Sequence, residues 1–210
     1  MTHPHGMLYV ATNIGAEDEA DFNQWYDHEH VEERVAIAGF LSGTRYQAIN
    51  AERKYLGLYE TDSLEAFTSA DYHAAFTRQT AWSVKNLQKM VNPQRRVSTV
   101  THTHGKGTGS QLAVVTLQAV NAAALTAWQQ QIGPRAGYIA SSLLTPDPRL
   151  SSPLPMEKTE ARQMSPMLLI HCREAQCCDE LAADAARALS GKVQRYALSW
   201  QLIKQELTHG

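Results

Sequence analysis

Residues 7–14 (Met-Leu-Tyr-Val-Ala-Thr-Asn-Ile) gather apolar β-formers up to Gly15 and predict a strand. The acidic stretch Glu17-Asp18-Glu19 then opens a helix that runs to about His30, with a further turn from Val31. Gly39 starts an extended run from Phe40 to Ile49. After a turn at Asn50-Ala51-Glu52 the apolar pattern returns from Lys54 to Glu60, so the pair reads as a hairpin. Asp62 or Ser63 caps a second helix to about Phe76, and the Val- and Thr-rich run from Arg95 to His104 reads as a last strand. The order β-α-β-β-α-β is that of the ferredoxin-like unit, in which two helices cover one face of a four-stranded antiparallel sheet.

After the Gly-rich segment Gly105-Lys106-Gly107-Thr108-Gly109-Ser110, which reads as a linker, the order recurs. Leu112 to Val120 is a strand, Ala122 to Gln131 a helix, Tyr138 to Thr145 and Met167 to Cys172 two strands, Gln176 to Leu189 a helix, and Val193 to Ile203 a strand. Trp25 and Trp128 stand mid-helix 103 positions apart, and Gln94-Arg95 and Gln194-Arg195 open the last strands 100 apart. Pro146 to Pro155 falls where a hairpin turn belongs and reads as a long insertion. The expected fold class is therefore α+β: tandem ferredoxin-like repeats at 1–104 and 111–210, joined by the linker 105–110. Their bare sheet faces would pack together as an antiparallel barrel with helices outside. Such a chain is a pseudo-dimeric monomer, or a homodimer of such chains.

Composition narrows the picture. Of 210 residues 43% are hydrophobic and 19% charged, which excludes disordered and low-complexity classes. The net charge of −2, with scattered basic residues, argues for no nucleic-acid surface. Apolar runs such as Met167-Leu168-Leu169-Ile170 fall far short of a membrane span, and no export signal is read in the first residues. Three cysteines make no disulfide framework, so we read them as reduced thiols of a cytoplasmic protein.

On the first helix the stripe Phe22, Trp25, Tyr26, Glu29, His30 carries two ionisable groups on an otherwise apolar face, while Asp27 and His28 turn toward solvent. Unpartnered burial of a carboxylate or imidazole costs several kcal/mol, so Glu29 and His30 are bonded, line a cavity, or both. Two readings stay open. In one, His30 bonds a loop carbonyl and Glu29 pairs with Arg34 or Arg45; in the other, His30 is a proton-transfer group in a pocket between helices and sheet. Alternation along the next strand puts Phe40, Ser42, Thr44 and Tyr46 on one face and Leu41, Gly43, Arg45 and Gln47 on the other.

The segment Phe22-Asn23-Gln24-Trp25-Tyr26-Asp27-His28-Glu29-His30-Val31, with Gly39-Phe40-Leu41-Ser42, Arg45-Tyr46 and Tyr55-Leu56-Gly57-Leu58-Tyr59-Glu60, resembles the EthD-like branch of the dimeric α+β barrel superfamily. The resemblance covers most of the first repeat; the second shares only the fold pattern. That superfamily includes cofactor-free lactone isomerases, polyketide cyclases, small quinone-forming monooxygenases and haem enzymes. The resemblance implies a pocket within a repeat, with His30 as acid/base and Tyr46 orienting a substrate oxygen. Glu29 would orient the imidazole, and Trp25, Tyr26, Phe40 and Tyr59 would form substrate-binding walls. Anchored at the tryptophans, Tyr26, Glu29 and His30 correspond to Gln129, Ile132 and Gly133, so one site per chain is expected.

The expected function is a cofactor-independent acid/base enzyme (isomerase, cyclase, lyase or small monooxygenase) acting on a small carbonyl, lactone or phenolic compound. The alternatives are a non-catalytic small-molecule binding protein and a haem-binding member of the fold. The pairs His3/His5, His28/His30 and His102/His104 supply no convergent set of three or four ligands, so no metal site is expected; His73 and His171 are isolated.

Overall fold

The computed structural model describes residues 4–133, 135–160 and 162–209. Eight strands are described, β1 (Gly6–Ile14), β2 (Phe40–Asn50), β3 (Tyr55–Thr61), β4 (Met90–Gly105), β5 (Gln111–Leu117), β6 (Tyr138–Pro146), β7 (Met167–Cys172) and β8 (Gly191–Ile203), with helices after β1, β3, β5 and β7. The helices are α1 (Glu19–Trp25), a π-helical turn (Tyr26–His30), α2 (Val31–Ala36), α3 (Ala70–Thr77), α4 (Ala81–Lys89), α5 (Ala122–Ile132) and α6 (Ala175–Leu189). The strands close into one barrel in the order β1-β3-β2-β8-β5-β7-β6-β4, every neighbouring pair antiparallel.

Alternation divides each strand between two cores, which is why the strands read as nearly continuous apolar runs. Inside the barrel Tyr9, Tyr46, Leu56, Leu112, Leu169 and Tyr196 pack together from both halves of the chain. Outside, the helices of the first half cover Leu8, Val10, Tyr55 and Tyr59, and those of the second cover Ala113, Val115, Leu168 and Ile170. No helix among the described residues is long and apolar enough to cross a membrane.

Three departures from the sequence reading matter. Helix α4 was not expected: its polar residues Lys85, Gln88 and Lys89 dilute the apolar pattern, but Thr80 caps it, accepting from Ser83 N at 3.0 Å. Strand β4 starts at Met90 and runs through to Gly105, with a bulge between Thr101 and His104 and φ of 47° at His102, so His102 and His104 lose the shared face that i, i+2 spacing implies.

The third is the destination of the insertion. Residues 147–160 and 162–163, between β6 and β7, cross to the first half and lie along β4. Asp147 N bonds Val97 O at 2.8 Å, and Arg95 Nη1 donates to Leu150 O at 2.9 Å and Ser152 O at 3.0 Å. Glu157, 8% exposed, is the anchor. Its Oε1 accepts from Arg96 Nη1 at 2.6 Å and Arg162 Nε at 2.9 Å, and its Oε2 from Arg95 N at 3.1 Å.

Candidate functional site

Helix α1 lays Phe22 and Trp25 on the outer face of the first sheet, and the π turn adds one residue to the helical repeat. Residues i and i+5 then meet, and the His30 imidazole lies 4.3 Å from the Trp25 ring, centroid to centroid. Tyr26 and Tyr59 meet it edge-on at 5.0 and 6.3 Å. His30 is buried, and its Nδ1 has no hydrogen-bond partner among the described residues. Burial, then the nearby guanidinium groups of Arg34 and Arg45, hold the imidazole well below its ordinary 6.5, so it is a free base at neutral pH.

The two arginines differ. Arg45 stacks 4.4 Å over Tyr26, and its charge is met by Asp27, whose Oδ1 accepts from Arg45 Nη1 at 2.5 Å and from Trp200 Nε1, on β8, at 2.8 Å. Arg34 is 4% exposed and its side chain forms no hydrogen bond or ion pair among the described residues. Its guanidinium lies 5.4 Å over the Phe76 ring, and Nη1 is buried without a partner. Arg95 approaches the same ring at 5.4 Å and donates to the Tyr72 hydroxyl at 2.8 Å.

These groups line a cavity of about 30 Å³: Tyr26, His30, Arg34, Tyr72, Phe76, Gln79 and Arg95 supply its polar and aromatic lining, and Leu8, Val10, Leu87, Met90 and Leu154 of the insertion the aliphatic part. The tyrosines stay protonated: burial raises Tyr26, and burial with the Tyr26 phenol alongside raises Tyr59 well above 10. The Tyr59 hydroxyl lies beside the Tyr26 phenol.

Of the residues singled out in the sequence, His30 and Tyr26 line this cavity, and Trp25 and Tyr59 pack directly against His30. Phe40 does not line it; its ring stacks on Tyr72 at 5.8 Å, one layer further out. Glu29 serves α4 rather than the imidazole: its Oε1 accepts from Thr80 Oγ1 at 2.6 Å and Ser83 Oγ at 3.1 Å, and Ser83 in turn accepts from Trp25 Nε1 at 3.0 Å.

Tyr46 is the main correction. Phe40 pairs with Thr61 and Ser42 with Glu60, so the strand bulges at Leu41 and the alternation slips by one. Phe40, Gly43 and Arg45 face the helices, whereas Ser42, Thr44 and Tyr46 face the barrel interior, on the far side of the sheet from His30. Arg34 was passed over as a site residue, though it stands four residues after His30 on the same helical stripe. Tyr72, Phe76, Arg95 and Leu154 reach the site from distant segments and left no local signal.

Elsewhere, His5 Nδ1 bonds Glu60 at 2.8 Å and His104 Nδ1 the Tyr138 hydroxyl at 3.0 Å; His3 lies outside the described residues. Among the described residues no group of three His, Cys, Asp or Glu side chains is placed to hold a metal ion.

The same closed arrangement recurs in solved structures. An anthrone oxidase-like protein superposes with a TM-score of 0.64 at 11% identity, covering 96% of this chain and 93% of its own. The fold is the dimeric α+β barrel, closed here within one chain. A protein assigned as a monooxygenase from Fusobacterium nucleatum subsp. nucleatum matches at TM-score 0.60 and 10% identity, over 97% of this chain and 96% of that one. A heme-binding protein from Thermus thermophilus matches at 0.52 and 10%, over 98% and 94%. No family model and no curated relative matches the sequence.

Proposed function

We propose that the chain is a cofactor-independent acid/base enzyme of the EthD-like type, acting on a small carbonyl, lactone or phenolic compound at His30. One observation carries this reading: a neutral, unpartnered imidazole shares a small cavity with a buried guanidinium, Arg34, that makes no ion pair. His30 would take a proton from a C–H or O–H of the substrate. The electron pair left behind delocalises onto the substrate oxygen, where Arg34 meets the developing charge. That charge also offsets the field that depresses His30, so the base strengthens as the proton moves. Returning the proton to a second atom completes an isomerisation. Among the structural neighbours, the anthrone oxidase-like and monooxygenase-assigned proteins make a carbon acid flanked by aromatic rings a sensible first substrate class.

The cavity admits the reacting end of such a molecule and little more. The remainder would lie past Phe76, itself 37% exposed at the rim. Small-molecule sites commonly reach about 300 Å³ or more, so the same observation keeps a non-catalytic binding role as the second reading. Haem does not fit here. It needs an axial ligand over a wide flat slot. His30 faces about 30 Å³, and the helix-side space of the second half is filled by Leu125, Trp128, Ile132 and Leu181.

We also read the chain as two fused repeats, 1–104 and 111–210. The strand order β4-β1-β3-β2 is matched by β8-β5-β7-β6, and each mid-helix tryptophan donates to the neighbouring helix of its own half, Trp25 to Ser83 and Trp128 to Asp184. Gln129, at the Tyr26 position, is tied to His102 O at 2.6 Å and puts an amide where the first half has a phenol.

The test is proton exchange. In D₂O the protein should accelerate loss of the acidic C–H signal of anthrone, or of the α-protons of simple lactones, in NMR spectra. His30→Gln should abolish the acceleration and Arg34→Gln reduce it at least tenfold. Acceleration that survives His30→Gln would sink the catalytic reading, and saturable binding without exchange would favour the second one.

A further inference from the structure

The barrel has its own opening, remote from His30. Near the start of β1, β2 and β6 and the end of β3, β4, β7 and β8, the interior packing gives way to a cavity of about 450 Å³. This lies within the size range of small-molecule sites, roughly 300–1,000 Å³. Tyr46 and Leu58 belong to the packed interior and form its floor. Met7, Val100 and Leu169 make an apolar wall; Ser42, Thr44, Ser142 and His171 line the rest.

The polar groups here are nearly all uncharged and several are spare. Tyr46 is 1% exposed, and its hydroxyl bonds to nothing among the described residues; burial alone raises its pKa. His171 has a buried Nδ1 without a partner among the described residues, and burial takes its imidazole down to about 4, so it is neutral at physiological pH. The Gln201 amide is held by Thr44 Oγ1 at 2.8 Å and Thr108 Oγ1 at 3.3 Å, which ties β8 to the segment after β4 at the rim. Glu60 is bonded to His5, and Lys106 is the one cationic residue of the lining.

Such a surface has donors and acceptors for hydroxyl groups and apolar area for a ring, but nothing at its floor to compensate a charge. We propose that the barrel mouth is a second small-molecule site, for an uncharged hydroxylated ring compound whose ring lies on Met7, Leu58 and Leu169 and whose hydroxyls engage Tyr46 and His171. This site stands independently of the chemistry at His30.

Resorcinol and 2,7-dihydroxynaphthalene, both uncharged at pH 7, are suitable probes, with benzoate as the charged control. In histidine- and tyrosine-labelled protein, either diol should shift the His171 and Tyr46 ring signals saturably while leaving His30 unmoved, and benzoate should bind at least tenfold more weakly. Tyr46→Phe, which keeps the ring, should weaken the diols about fivefold, the loss of one net hydrogen bond. His171→Leu should do the same. Three outcomes would each overturn the proposal: no saturable His171 shift up to the solubility limit of both diols, shifts that centre on His30, or affinities unchanged in both variants. None of them bears on proton exchange at His30.

Discussion

A guanidinium buried without a counter-charge is expensive, and removing it often leaves a protein as stable as before or more so. Arg34 makes no ion pair and has only the Glu33 carboxyl in its field, whereas Arg45 is answered directly by Asp27. Arg34→Met should therefore hold or raise the thermal midpoint while reducing proton exchange, and the His30 pKa should climb toward 6.5 in an NMR titration as a depressing charge disappears. A midpoint lowered by the equivalent of more than about 1 kcal/mol would make Arg34 a structural residue instead. At this scale the sequence was partly legible. Helical spacing from Phe22 placed Trp25, Tyr26 and His30 on a buried stripe, and the same spacing extended one turn reaches Arg34. The exchange of Tyr46 for Arg45 was hidden, because a single-residue bulge at Leu41 leaves the period-two pattern looking intact while reversing every side chain after it.

Two elements shape the site, the π turn and the insertion between β6 and β7. The turn brings His30 onto Trp25; the insertion adds Leu154 to the cavity lining and is pinned by Glu157. Truncating one member of a buried ionic network typically costs about 3–5 kcal/mol, since its partners keep their charge. Glu157→Ala should lose that much in urea unfolding, with Glu157→Gln falling between it and the wild type because the amide oxygen still accepts from Arg96. If Glu157→Ala unfolds at the wild-type urea concentration, the insertion is held by something else. Pro146 to Pro155 announced an insertion by composition, but its landing place depends on Arg95 and Arg96, some fifty residues earlier in the chain, and no local pattern carries such a contact. Helix α4 was missed for a related reason. Its fixing contacts, from Thr80 and Ser83 to Glu29, are tertiary.

Across the molecule, burial holds two histidines neutral, His30 among the helices and His171 inside the barrel. In the unfolded chain both titrate near 6.5. Below that pH the unfolded state takes up protons that the folded state refuses. Stability is therefore complete above about pH 6.5, declines as the pH falls, and levels off for His171 near its folded value of about 4. The thermal midpoint should drop between pH 7 and pH 5. His171→Leu should flatten the decline by an amount on the order of 1–3 kcal/mol over the full window; an identical slope in wild type and variant would contradict this. The closed barrel itself was readable, because two rounds of the same element order leave two apolar sheet faces with only each other to cover. What the element order did not reveal is that the halves have unequal duties. In a ring of two identical chains any loop appears twice and must be tolerated in both places. Here the strap anchored by Glu157 exists once, grows from the second half, and lends Leu154 to the cavity of the first. Calorimetry of a compound that enters at His30 should accordingly count one molecule per polypeptide, and substitutions in the strap should alter its escape rate without any change to the helices that hold it.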